Sequence, residues 1–272
     1  MNDSCKTKYP IVMVHGMGFR DFKYISYWGR IPKILKENGA EIYFGNQDSN
    51  ATIENNAQFI KNTVNLVLEK TGAEKVNIIA HSKGGLDVRY MISSLDMADK
   101  IASLSTMSTP HNGSITVDKL LKFPKFIIKI GTKIVDIWFK VLGDKNPDTY
   151  SVINQFTTVE ADKFNRLNKD SEKVYYQSFA FVMKNAFSDI FMFVPYIIVK
   201  FFEGENDGLL APRAVKWTNF RGVFGGNGRR GISHCDEVDL RRRKLSSEKG
   251  SGISDITEFY KKVVEELKLL GY

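Results

Sequence analysis

Two periods share this chain. Short runs of apolar and β-branched residues, "YPIVMVHG", "AEIYFGN", "KVNIIA", "IASLSTM" and "KVYYQSFAFV", read as strands. Elsewhere apolar residues return every three or four positions. Ile53, Ala57, Ile60, Val64 and Val67 form one helical face closed by Gly72, and "GGLDVRYMISSL" follows "KVNIIA" as a second helix. Near the C-terminus Asp255 and Glu258 have capping-box spacing, with Ile256, Phe259, Val263 and Leu267 on one face. Strands alternating with helices imply βαβ units and a largely parallel sheet, the α/β class.

Two segments break this pattern. In "KFIIKIGTKIVDIWFKVL", Lys125, Lys129, Lys133, Asp136 and Lys140 form one narrow polar stripe and most other positions are apolar. Such a helix is expected to lie in the core, or else to cover an apolar site and be shared with a lipid surface; it is not expected to stand in water. "AFSDIFMFVPYIIVKFF" poses the same choice. Its apolar run from Ile190 to Val199, interrupted in character by Pro195, is well short of the roughly 18 residues of a membrane span, so no transmembrane segment is expected.

Composition narrows the class. With 272 residues, 43% of them hydrophobic and 26% charged, the chain fits a soluble globular protein with a substantial core. "MNDSCKTKYP" has neither an apolar core nor a small-residue cleavage site, so no signal peptide is visible; the expectation is a cytoplasmic protein or a mature or trimmed form. Cys5 and Cys235 make neither a disulfide framework nor a metal site. The net charge of +8 is scattered, and its one dense run, Arg241 to Lys244, reads as a solvated turn or helix face, so nucleic acid is not an expected partner. "GNGRRG", Gly226 to Gly231, matches G-x-G-x-x-G but lacks a following long helix and a spaced acid; it reads as a flexible loop.

The chemistry concentrates at "KVNIIAHSKGGLDVRYM". A strand, a turn of form small-X-Ser-X-Gly and a helix expose a serine hydroxyl at the sheet edge and aim backbone N–H groups at negative charge. Ser82 is therefore the candidate nucleophile, with Ala80 where glycine is more usual. A serine nucleophile needs a base and two oxyanion donors. "IVMVHGMGF" supplies a second glycine-rich loop after a strand, and the N–H groups of Met17 and Lys83 are the candidate donors. Of the four histidines, His15 reads as shaping that loop, His81 adjoins the serine and points elsewhere, and His111 suits a structural hydrogen bond. His234, after the last recognisable sheet elements, is the candidate base. The acid is expected between Ser82 and His234 in the chain; Asp207, at the glycine-flanked turn "GENDGLLAP", is preferred to its rivals Asp170 and Asp189.

These motifs, "YPIVMVHGMGF", "VNIIAHSKGGLDVRY", "STPHNGS", "VYYQSF", "NDGLL" and "SHCDEV", run from Tyr9 to about Val238 and resemble the true bacterial lipases of the α/β-hydrolase superfamily. The resemblance implies a single α/β-hydrolase domain over 1–272, with a mostly parallel sheet flanked by helices. It implies a helical lid or cap insertion at about 113–170 and a second apolar cap segment at about 184–202. It implies hydrolysis of acylglycerols or other apolar esters through Ser82, His234 and Asp207, with no cofactor for the chemistry and transient contact with a lipid interface. Short-chain esterase and acyltransferase activities use the same triad and stay open. The resemblance further implies a structural Ca²⁺ held by Asp189 and Asp236, the alternative being that Asp236 is a plain loop carboxylate.

Overall fold

The computed structural model describes residues 3–18, 26–247 and 250–272. Phe19, the last residue of the first motif, lies outside them. The chain begins with β1 (Ile11–Val14), α1 (Ile31–Glu37), β2 (Ile42–Phe44), α2 (Ile53–Thr71), β3 (Val76–His81), α3 (Lys83–Ser94) and β4 (Ile101–Met107). Four helices then stand between β4 and the next strand: α4 (Ile115–Leu120), α5 (Lys125–Val141), α6 (Thr149–Gln155) and α7 (Thr158–Leu167). After β5 (Tyr175–Phe181) come α8 (Phe193–Glu203), α9 (Pro212–Val215), β6 (Phe220–Phe224) and α10 (Ile256–Leu269). The six strands form one parallel sheet in the order β2-β1-β3-β4-β5-β6.

The central strands are buried on both faces, which is why they read as continuous apolar runs rather than alternating ones. Successive side chains still part to opposite sides. Ile11 and Met13 pack with Trp28, Ile31 and Leu35 and with Ile256, Phe259 and Val263 of α10; Val12 and Val14 pack with Ala57, Ile60 and Val64 of α2 and with Val88 and Met91 of α3. Each buried Val, Leu, Ile, Met or Phe among them contributes ~1.5–3 kcal/mol by leaving water. The α2 stripe expected from its spacing is the buried face, with Thr52 accepting from Asn55 N–H at one end and Gly72 left-handed at the other. At α10 the cap is simpler than a capping box: Asp255 accepts from Thr257 N–H and pairs with Arg30.

Strand β6 had no signal in the sequence reading. It is an edge strand paired only with β5, its residues alternate between half-buried and exposed, and Gly222 interrupts it at φ 118°. The apolar segment over α5 needs a correction too. It is not a core helix and does stand outside: Phe126, Ile130, Ile134, Ile137, Trp138 and Val141 are all exposed, from 61 to 76%. What faces inward is Thr132, Asp136 and Phe139, with Asp136 accepting from Thr149 N–H at 2.7 Å and from its hydroxyl at 2.6 Å. Apart from Asp136 the polar stripe is exposed as well, so the helix turns both its lysines and its large apolar side chains outward.

The inserted helices are tied to the domain by buried carboxylates. Asp144 accepts from Ser49 and Asn50 N–H groups, and Asp48 from those of Lys145 and Asn146. Glu203, closing α8, accepts from the Ser114 hydroxyl at 2.7 Å and from Thr116 N–H at 2.8 Å, joining α8 to α4. No described helix is long and apolar enough to cross a membrane.

Candidate active site

Ser82 sits between the end of β3 and the start of α3 with φ 52° and ψ −131°, a backbone conformation that L-residues rarely adopt. Such strain costs roughly 1–3 kcal/mol and persists only where the surroundings over-determine it. Here Ser82 N–H donates to Met107 carbonyl at 2.8 Å, and the Thr109 hydroxyl donates to Ser82 carbonyl at 2.7 Å. The small residues are needed for close approach. A Cβ on Gly84 would lie 2.4 Å from the His15 carbonyl oxygen, one on Gly85 2.2 Å from Thr109 Oγ1, and one on Gly16 2.7 Å from Ser82 Cβ. Ala80 pairs in register with Val14 and Thr106, and its methyl is wholly buried in the core shared with α2 and α3.

Two N–H groups flank this turn. Lys83 opens α3, so its N–H has no carbonyl one turn back; Met17 lies in the loop after β1 and lines the same cavity as Ser82. Neither N–H has a hydrogen-bond partner among the described residues. The Lys83 side chain turns the other way, into a buried ion pair with Asp87 at 2.6 Å, and burial nonetheless lifts the Asp87 carboxyl to about 6.

His234 and Asp207 come together from loops after β6 and α8. His234 Nδ1 lies 2.9 Å from Asp207 Oδ2, while Asp207 Oδ1 accepts from the N–H groups of Leu209 and Leu210, both at 2.8 Å. Burial alone would raise the Asp207 carboxyl; the charge and hydrogen bond of His234, with Glu237 and Leu210, hold it down at about 2. His234 and Ser82 both face a cavity of about 410 Å³ walled by Val117, Ile153, Phe156, Met192, Leu210, Val238 and Leu240. Among the described residues no hydrogen bond joins Ser82 to His234, a bond that in resting hydrolases is often long and tightens with substrate. Cys235 also lines the cavity, but burial and the charges of Asp189 and Asp236 push its thiol up to about 12, so it stays protonated.

The rival assignments go elsewhere. Asp170 lies 3.7 Å from Arg89. His111 is buried between the Thr106 hydroxyl and Arg89 and stacks on Trp217, and His15 pairs with the carbonyls of Gly16 and Gln47. Contrary to the expectation that it points elsewhere, His81 lines the same cavity with its ring 4.4 Å from that of His234, and its nitrogens enter a hydrogen-bond network without a signal in the sequence. Its Nδ1 pairs with Tyr27 Oη at 2.7 Å, its Nε2 with Glu237 Oε2 at 3.1 Å, and Tyr27 Oη accepts from Gly16 N–H. Glu237 also accepts from the Ser108 hydroxyl at 2.9 Å and shares a hydrogen bond with Asp207. Burial and the Asp207 charge push its carboxyl well above the usual range, while burial pushes His81 well below its ordinary value. His81, His234 and Glu237 bring metal-ligating atoms within 4.8 Å of one another, yet these atoms already satisfy each other, Tyr27 and Asp207. The signal for Glu237 was its place three residues after His234, too common a spacing to single it out.

Asp189 and Asp236 are also brought together, but not around a space for a cation. The Arg241 guanidinium lies between them, 2.8 Å from Asp189 Oδ2 and 3.5 Å from Asp236 Oδ1. Ca²⁺ takes six to eight oxygens at 2.3–2.6 Å; a donor set already facing N–H groups does not fit it. The basic run from Arg241 is accordingly not just a solvated turn. Nor is "GNGRRG" a loose loop: Ile232 N–H donates to Val182 carbonyl, Lys184 N–H to Arg230 carbonyl, and Gly231 has φ 74° where a Cβ would lie 2.5 Å from the Val182 carbonyl oxygen.

Comparison with known proteins follows the same lines. The profile of the palmitoyl protein thioesterase family matches residues 10–188. Triacylglycerol lipase 2 of Saccharomyces cerevisiae is 26% identical over 264 residues, covering 91% of this chain and 75% of the yeast protein. A triacylglycerol lipase of Vibrio cholerae is 36% identical over 114 residues, 42% of this chain and 36% of its own length. Thus the chain spans most of the yeast relative but only about a third of the Vibrio one. Among solved structures, Staphylococcus hyicus lipase superposes with a TM-score of 0.69 at 16% identity, covering 97% of this chain and 96% of that one. The mature form of a Bacillus licheniformis lipase gives 0.66 at 20%, covering 86% and 88%. At such identities these two likenesses establish the fold, an α/β-hydrolase.

Proposed function

The chain belongs to the palmitoyl protein thioesterase family and is a serine ester hydrolase of the lipase/esterase type, and from that premise we propose that Ser82, His234 and Asp207 carry the reaction on substrates with an apolar acyl chain. The observation that carries the reading is the strained, half-buried Ser82 sharing one apolar cavity with an Asp207-anchored histidine.

In this mechanism His234 Nε2 takes the proton from Ser82 Oγ as Oγ attacks the acyl carbonyl. Asp207 fixes the imidazole with Nδ1 toward its carboxylate and stabilises the imidazolium that forms. The N–H groups of Met17 and Lys83 receive the developing oxyanion; being without partners among the described residues, they need no reorganisation to do so. The tetrahedral intermediate collapses to an acyl-enzyme, and His234 returns the proton to the departing group. Water activated by the same histidine then releases the acid.

The acyl chain lies along the walls formed by Val117, Ile153, Phe156 and Leu240. Residues of α4, α6 and the approach to α8 contribute to those walls, which supports reading the helices over 113–170 and 184–202 as a cap over the site. The exposed apolar face of α5, with Phe187, Ile190, Phe191 and Phe201 near α8, supports transient docking on a lipid interface.

A fluorophosphonate should label the protein once, and Ser82→Ala should abolish both label and turnover. Full esterase activity in Ser82→Ala would end this assignment. A nitrophenyl ester series of increasing chain length, run against an acyl thioester of matched chain, then sets the substrate class.

A further inference from the structure

We propose that Arg241, assisted by Arg230, stands permanently in the place of a divalent cation and cross-links the histidine loop to the start of the α8 segment, so that this hydrolase is independent of calcium. Three oxygens suited to a cation converge: the Ser188 carbonyl, Asp189 Oδ2 and Asp236 Oδ1. All three face Arg241, whose Nη2 donates to Ser188 carbonyl at 3.0 Å and lies 2.8 Å from Asp189 Oδ2, with Nε 3.5 Å from Asp236. Arg230 Nε donates to the same Ser188 carbonyl at 3.0 Å.

The charge balance is that of a metal site. Two carboxylates, buried or nearly so, oppose two guanidinium groups, the same sum a divalent ion would supply. The remaining acceptors are filled as well: Ser233 hydroxyl donates to Asp189 Oδ2 at 2.6 Å, Phe191 N–H to Asp189 Oδ1, and Ser233 N–H to Asp236 Oδ2. An entering cation would have to expel a guanidinium from a carboxylate with no exposed surface, and to approach past Arg243 and Lys244 beside it. A planar fork also suits the task geometrically, since one group meets oxygens from two separate loops at once. The linkage lies directly beside His234, yet it is a matter of folding and does not depend on the catalytic assignment.

The test is thermal unfolding of the full chain in millimolar calcium chloride and in excess chelator, with calorimetric titration of calcium. The wild type should give the same Tm in both and no binding heat. Arg241→Ser should lose roughly 10 °C in chelator, the size expected for removing one partner of a buried ion pair in a domain of this length, and calcium should restore part of it. Arg241→Lys, which keeps the charge but reaches fewer oxygens, should fall between and serves if the serine variant fails to fold. A wild-type Tm that rises with calcium, or stoichiometric binding, overturns the proposal. So does an Arg241→Ser protein as stable as the wild type, or one that calcium fails to stabilise.

Discussion

Asp207 holds His234 twice: Oδ2 lies 2.9 Å from Nδ1, and the Asp207 carbonyl accepts the backbone N–H of the same histidine at 2.8 Å. Asp207→Asn keeps the backbone tether but offers Nδ1 an amide that favours the wrong tautomer. The expected result is a loss of ~10⁴-fold in kcat with little change in KM, as removal of a transition-state interaction requires. Steady-state kinetics on a dissolved ester measures it.

The same carboxylate sets an acid limit. Its folded value of about 2 lies below the ordinary 3.8, so its stabilisation is fully present above the unfolded value and is lost as pH falls through that window. The contribution is about 2 kcal/mol. Below pH 4 the wild-type Tm should drop more steeply than that of Asp207→Asn, and parallel curves would refute the linkage.

Glu237 separates charge from hydrogen bonding. Burial disfavours its charged form, and Glu237→Gln keeps an acceptor and a donor at the same reach, so it should retain stability and most activity. Glu237→Ala leaves the Ser108 hydroxyl and His81 Nε2 without their partner, at ~1–3 kcal/mol for each buried group. Denaturant melts of the two variants should therefore differ by several kcal/mol; similar losses would refute the hydrogen-bonding role.

Gly84 faces backbone, not a movable side chain. Since an added Cβ would meet the carbonyl oxygens of His15 at 2.4 Å and Val14 at 2.8 Å, Gly84→Ala must separate α3 from the β1 loop. A loss of roughly 1–3 kcal/mol or more is expected, with activity falling further than stability because both proposed oxyanion donors move. Unfolding and turnover measured on the same preparation distinguish this from simple destabilisation.

The α5 face can be tested without disturbing the core. Ile134 is 64% exposed, so Ile134→Asn should change stability by less than about 0.5 kcal/mol. Hydrolysis of emulsified long-chain esters should fall several-fold while that of dissolved short-chain esters is unchanged. Equal effects on both would dismiss the interface role.

What the sequence revealed depends on how local the constraint is. The Ser82 turn was legible because its small residues are adjacent in the chain and their clashes are dictated by a single strand-turn-helix geometry. The meeting of Asp207 with His234 followed from chain order. Glu237 and Arg241 were opaque for the opposite reason. Each acts through partners from distant segments, Ser108 and His81 in one case, Ser188 and Asp189 in the other, and neither has a local pattern. The α5 spacing disclosed two faces but not that both lie largely outward, since periodicity does not say what packs on a face. Strand β6 lacked the apolar continuity of its neighbours because an edge strand has less to bury.

The outward apolar side chains of α5 have a colloidal consequence. With no lipid present, six large apolar side chains on one helix have only water or one another to face. The same surface on a second molecule is the nearest substitute, so purified protein should self-associate reversibly as concentration rises and disperse when detergent is added. Specific activity in detergent-free buffer would then decline with protein concentration, a signature of the helix masking itself rather than of any change at Ser82.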